Sequence, residues 1–209
     1  VDNTTRDGIM AGSEVLSDGS ARQQVIDWSK QAMDRMDESI DEAKRIAIMT
    51  RCACQYPKAD LQEIKRKYQT TQDIDLVHNM LQEKFVSFLK HKLQLDDDVV
   101  DELVNRGMGL AGKRQGNTII ATKIPKSGYI LEYLAAKDPV KKRAIYCHCP
   151  RIRDALKANI EISATYCYCG AGYYKGIWEE ILQRPVKVEL LESVLKGDDA
   201  CKIAIHLPL

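Results

Sequence analysis

Tyr146-Cys147-His148-Cys149 and Tyr166-Cys167-Tyr168-Cys169 bracket a stretch that holds four of the chain's seven cysteines. A single buried cysteine serves as a small hydrophobe, but two Cys-x-Cys pairs in one window are hard to explain by packing alone. How this stretch folds decides the C-terminal architecture. In a β-strand residues i and i+2 share a face, so strand conformation puts Cys147 with Cys149, and Cys167 with Cys169, on one side each. A hairpin with arms 143–149 and 161–169, joined through Lys157-Ala158-Asn159, sets Cys149 opposite Cys167 and Cys147 opposite Cys169. Opposed Cβ atoms lie roughly 4.5–5.5 Å apart, so four sulfurs converge on one patch. Asn159 suits the left-handed residue that commonly closes a three-residue loop. A two-residue loop would send the pairs to opposite faces. Pro150 cannot donate to a ladder and implies an edge or a bulge at Cys149.

Working outward, the last segment reads as a second hairpin, 186–195 and 201–207, joined through Lys196-Gly197-Asp198-Asp199. Cys201, Ile203, Ile205 and Leu207 alternate with polar or small residues and face the core, matched by Val188, Leu190 and Val194. Glu192 falls on that apolar face, diagonal to Cys201 and opposite Ile203, where a carboxylate is costly unless paired or bound to a metal. His206 points the other way. Between the hairpins, 172–182 reads as a short helix stopped by Arg184-Pro185, with Gly172 and Gly176 spaced to let it approach a sheet closely.

Upstream, 118–124 reads as a strand, and 129–136 as a strand or a short helix. Before that the pattern is helical. Val25, Trp28, Ala32, Met36, Ile40, Ala43 and Ala47 recur at helical spacing and predict one long amphipathic helix over 21–49, open to a dimer contact or an intramolecular bundle. Helices over 58–68, 73–93 (capped at Thr70 or Thr71) and from Asp96 to near Gly107 follow. Cys52 and Cys54, at the end of the first helix, either pack as small residues or fold over the later cysteines as additional metal ligands. The expected fold is α+β: N-terminal helices packed with a C-terminal antiparallel sheet of hairpins plus one short helix. The divisions are a disordered segment 1–20, a helical region 21–110 and an α+β region 111–209.

Composition narrows the function. The 209 residues carry 31 basic and 30 acidic side chains, 44% hydrophobic and 29% charged residues, as an ordinary soluble chain does. Basic residues are spread rather than striped, so no nucleic-acid partner is expected. No apolar run approaches bilayer length and 1–20 has no apolar core of a signal peptide, so no membrane partner and a cytoplasmic location are expected. In a reducing compartment such cysteines read as metal ligands or redox groups.

The run Cys167-Tyr168-Cys169-Gly170-Ala171-Gly172-Tyr173-Tyr174-Lys175-Gly176, then Arg184-Pro185-Val186, Glu192, Gly197-Asp198 and Cys201, resembles the C-terminal half of the 4-vinyl-reductase domain family. That family is related to haem-nitric-oxide-binding and trafficking-complex subunits of similar fold. The resemblance implies a small-molecule sensor domain for an aromatic or tetrapyrrole-related ligand. It also implies the structural zinc of the phenol-sensing branch, held by three Cys and one Glu. Cys167 or Cys169 matches the first Cys, Glu192 the acid and Cys201 the last Cys; the remaining family Cys falls on Leu195. Cys147 or Cys149 would restore the fourth ligand.

The leading expectation is therefore a sensor-like protein that binds a small hydrophobic or aromatic ligand, with zinc at Cys147, Cys149, Cys167, Cys169, Cys201 and Glu192. Tyr166, Tyr168, Tyr173, Tyr174 and Trp178 either line the pocket or are ordinary core. Two alternatives stand beside it. A looser likeness to the L-2-amino-thiazoline-4-carboxylate hydrolase family implies a cysteine-dependent enzyme, although His148 on a strand points away from its neighbouring thiols. An iron–sulfur cluster is compatible with four converging cysteines, but the spacing matches neither familiar ferredoxin run.

Overall fold

Aspartates start several of the helices in the computed structural model, which describes residues 1–208. The first half holds α1 (Asn3–Met10), α2 (Arg22–Ser39), α3 (Glu42–Arg51), α4 (Gln62–Thr71), α5 (Ile74–Ser87) and α6 (Asp97–Asn105). Asp2, Asp41 and Asp73 each accept a hydrogen bond from the first turn of the helix that follows. The second half runs β1 (Lys113–Gln115), β2 (Thr118–Thr122), α7 (Ile130–Ala135), α8 (Pro139–Tyr146), α9 (Pro150–Lys157), α10 (Tyr168–Leu182), β3 (Lys187–Glu192) and β4 (Lys202–His206). The strands make one antiparallel sheet of order β1-β2-β4-β3, and the fold class is α+β. Among the described residues, no helix is long and apolar enough to cross a membrane.

The segment 1–20, expected to lack order, carries α1 and a short 3-10 turn, Ser13–Val15. Ile9 is buried, and α2 satisfies the carbonyls at the end of α1: Arg35 donates to Ile9 O at 3.0 Å and Ala11 O at 2.9 Å, and Trp28 Nε1 donates to Ala11 O at 3.2 Å. The single helix expected over 21–49 is two. Ile40 turns extended with its side chain buried, and Asp41 caps a new start. Asp73, rather than Thr70 or Thr71, caps α5.

The cysteine hairpin is absent. Residues 143–149 lie in α8 and the loop after it, and 161–169 form an irregular stretch, a 3-10 turn Ala164–Cys167 and the start of α10. Proline decides this. Pro139 and Pro150 each open a helix, where a missing N–H costs nothing, and the Asp138 side chain accepts from Val140 N and Lys141 N. Asn159 does adopt the left-handed conformation, φ 53°, but as the residue that ends α9. Asn159 N donates to Leu156 O at 3.2 Å and Ile160 N to Ala155 O at 2.9 Å, the pair of bonds that closes a helix C-terminus.

The last hairpin forms. Ile203 and Ile205 pair with Leu190 and Val188 on β3 and with Ala121 and Ile119 on β2, and both isoleucines are fully buried. α10 packs on β3 and, from its other sides, on α3 and α4. Its close approach is to a helix rather than the sheet: a Cβ at Gly172 would stand 2.0 Å from Thr50 O in the last turns of α3, whereas one at Gly176 would meet open space.

Candidate thiol centre

Three segments far apart in sequence meet at the end of α8. Tyr146, fully buried, donates its hydroxyl proton to Lys123 O and accepts from Cys201 N at 2.9 Å. Lys123 N in turn donates to Cys201 O, and Lys126 N to Tyr146 O, at 2.9 and 2.8 Å. These bonds tie the segment after β2, the end of α8 and the start of β4 into one frame. The loop 147–149 is fixed from two sides. Arg153 on α9 donates to Cys147 O at 2.7 Å and His148 O at 2.8 Å, while His148 Nε2 donates to Ile124 O at 3.0 Å.

Cys147, Cys167 and Cys201 lie near this frame; they are 9%, 6% and 6% exposed, all are free thiols, and each is near enough to another to feel its charge. Cys149 and Cys169 are half-buried at the edge of the group, with Cys149 Sγ 3.8 Å from Tyr166 Oη. Cys52 and Cys54 are exposed in the connection after α3, with Cys54 on the outer side of Cys169. Thus the buried thiols are carried by a loop, a 3-10 turn and a strand start, not by strands facing each other.

The thiols differ in chemistry. Burial pushes Cys147 up to about 12 and Cys169 up to about 11. The neighbouring Cys201 and burial hold Cys167 well above the usual thiol range, while the neighbouring Cys167 lowers Cys201. Lys123 favours the charged form of Cys147, Cys169 and Cys201. His148 is driven down to about 4, first by burial and then by Lys123. Its Nε2 proton is committed to a carbonyl, so it is not placed as a base for a neighbouring thiol.

Glu192 stands apart from this group. The register shifts between Leu190 and Glu192, and the extra residue turns Glu192 off the apolar face. Its carboxylate pairs with Lys202 Nζ at 2.5 Å, and its side chain is 40% exposed. Of the aromatic residues, Tyr174 and Trp178 are core: the Tyr174 hydroxyl donates to Gly109 O at 2.9 Å, and Trp178 is fully buried. Tyr173 is half-buried and edge-on to Tyr56, and Tyr168 is half-buried. A cavity of ≈ 440 Å³ opens elsewhere, lined by residues that include Asp34, Asp37, Ile160, Glu161, Ser163 and Leu195 and by none of these aromatics.

Among the described residues, no three His, Cys, Asp or Glu side chains are arranged to hold a metal ion. Three buried free thiols and two half-buried ones are donors of the kind that suit a soft metal ion. Holding an ion requires those side chains to turn onto a common point. Lys123, Tyr146 and Arg153, which build the frame, carry no motif; their signal in the sequence is only nearness to a strand end or to the cysteines.

Residues 134–208, which include Cys147, Cys149, Cys167, Cys169 and Cys201, match the model of a family of unknown function, DUF6144. No curated protein and no solved structure matches the chain.

Proposed function

We propose that the protein is a small-molecule-binding, sensor-like module built on a cysteine-rich metal centre that takes zinc. One observation supports this above the others: Cys147, Cys167 and Cys201, from three separate segments, are buried and unlinked, and each is near enough to another to feel its charge. Cys167 and Cys201 are also positions at which the chain resembles the 4-vinyl-reductase pattern. Cys147, Cys167 and Cys201 are the ligands of this reading, with Cys149 or Cys169 as the fourth. Glu192 is left out because Lys202 already neutralises it. A closed four-ligand zinc supplies folding energy and stabilises the thiolates. Thiols that burial holds protonated, Cys147 above all, then lose their protons to solvent on binding.

The test is addition of Zn²⁺ or Co²⁺ to the reduced, metal-free full chain. Stoichiometric binding with proton release and a thiolate-to-cobalt absorption band is expected, retained in Cys52→Ser and Cys54→Ser and lost in Cys167→Ser and Cys201→Ser. Failure of the wild-type protein to bind either ion overturns the reading. A cysteine-dependent hydrolase has one observation in its favour, the lowered Cys201 thiol, and one against it, the His148 ring held on Ile124 O.

A further inference from the structure

We infer that Thr118, His206 and Glu189 form a hydroxyl–imidazole–carboxylate centre that transfers short acyl groups from activated esters to water. The three stand on adjacent strands, β2, β4 and β3, on the face of the sheet opposite to that of buried Ile203 and Ile205. Thr118 is paired directly with His206 in the register, and its Oγ1 lies 3.2 Å from His206 Nδ1. On the other side of the ring, Nε2 lies 3.5 Å from Glu189 Oε2. A carboxylate oxygen only accepts, so it holds the ring proton on Nε2 and leaves Nδ1 as acceptor for the Thr118 hydroxyl. Nucleophile, base and orienting acid thus stand in the order of a catalytic triad, with the roles of the two ring nitrogens exchanged. Beside them Leu207 N donates to Asn117 O at 2.8 Å, which fixes the start of β2 against the end of β4.

Neighbouring register positions supply the rest of the site. Gln115 on β1 is paired with Thr118, and Lys187 on β3 with His206, so both share this face. An amide and an ammonium therefore flank the hydroxyl and the ring as donors for the negative charge of a tetrahedral intermediate. The next row across the same face is Lys113, Ile120, Ala204 and Glu189. Half-buried Ile120 beside Ala204, the shortest side chain of that row, suits a short aliphatic acyl group. In the reaction, the Thr118 oxygen attacks the ester carbonyl carbon while its proton passes to His206 Nδ1. The bond from that carbon to the alcohol oxygen breaks, and the alcohol leaves with the proton. Water, deprotonated by the same nitrogen, then attacks the acyl-threonine; the acid is released and the proton returns to Thr118. One ester and one water become one alcohol and one acid.

Release of 4-nitrophenol from 4-nitrophenyl acetate by the full chain, with mass spectrometry of acid-quenched protein, tests the inference. Saturable hydrolysis is expected, with an acetyl group on Thr118 in tryptic peptide 115–123. Acetyl groups on exposed Cys52 and Cys54 fall in peptide 52–58 and are counted apart. Thr118→Val and His206→Gln should each lose roughly 100-fold in kcat/KM, the low end of what a positioned base contributes. Thr118→Ser should keep the activity. Glu189 is a positioning residue, so Glu189→Gln should lower kcat and leave KM in place. Equal rates for wild type and Thr118→Val, both shown by circular dichroism to be folded, overturn the inference. So do acetyl groups found on cysteine and lysine alone.

Discussion

The cysteines of this chain occupy two kinds of place. Cys52 and Cys54 stand exposed just beyond α3, whereas Cys147, Cys167 and Cys201 are buried where α8, α10 and β4 meet. Cys52 and Cys54, and equally Cys147 and Cys167 with their neighbours Cys149 and Cys169, stand at Cys-x-Cys spacing, so the motif does not make the difference. Backbone anchoring does. The buried group is enclosed by the Tyr146 hydroxyl, the Arg153 guanidinium and the His148 ring, each spent on a main-chain group. The outer pair follows α3, whose last turns dock on α10 at Gly172. A thiol becomes a candidate for chemistry here when its neighbours take up the backbone bonds and leave the sulfur as the unspent polar group.

This contrast can be broken at defined points. Gly172→Ala should have the largest effect. Its new Cβ would sit 2.0 Å from Thr50 O, so α3 must shift off α10, at roughly 3 kcal/mol by urea unfolding. The same variant should speed alkylation of Cys169, the half-buried thiol beside Cys54; a change below about 0.5 kcal/mol would mean that the two helices do not meet so closely. Tyr146→Phe comes next. It leaves Cys201 N–H and Lys123 O without partners in a fully buried place, for a loss of about 2 kcal/mol and faster labelling of Cys201.

Acid should act on the buried group through His148. The folded protein holds this ring at about 4, below the 6.5 of an unperturbed histidine. Between these values the unfolded chain binds more protons, so stability rises with pH. The contribution is complete above 6.5 and is lost as pH falls toward 4, an effect of about 1.5 kcal/mol after allowance for partial exposure. His148→Gln should flatten the stability profile across that window, and an unchanged slope would place the ring in solvent. Smallest of all should be Cys52→Ser and Cys54→Ser, each within about 0.5 kcal/mol of the parent because both side chains are exposed.

How much of this was legible depends on which local signal a residue obeys. Ile203, Ile205 and Leu207 follow a period of two and are buried as that period requires. Glu192 is misread because one extra residue enters β3 after Leu190, and alternation carries no mark of a bulge. β1 escapes notice because Lys113-Arg114-Gln115 has no apolar face. In the cysteine stretch the alternation of Cys147, His148 and Cys149 competes with Pro139, Pro150 and the Asp138 cap, and the helix-starting residues prevail because they act on the backbone directly. Asn159 is left-handed as expected, yet a left-handed residue ends a helix as readily as it closes a hairpin. The meeting of Cys147 with Cys167 and Cys201 is set by long-range packing through Tyr146, which no spacing rule contains.

The central claim is that the buried thiols form one metal centre. Elemental analysis of the full chain, purified anaerobically without chelator, tests it most directly. The account predicts close to one zinc per chain, falling to background in Cys201→Ser and unchanged in Cys52→Ser. Less than about a tenth of an equivalent of any metal in folded wild-type protein, or iron with sulfide in place of zinc, would contradict it.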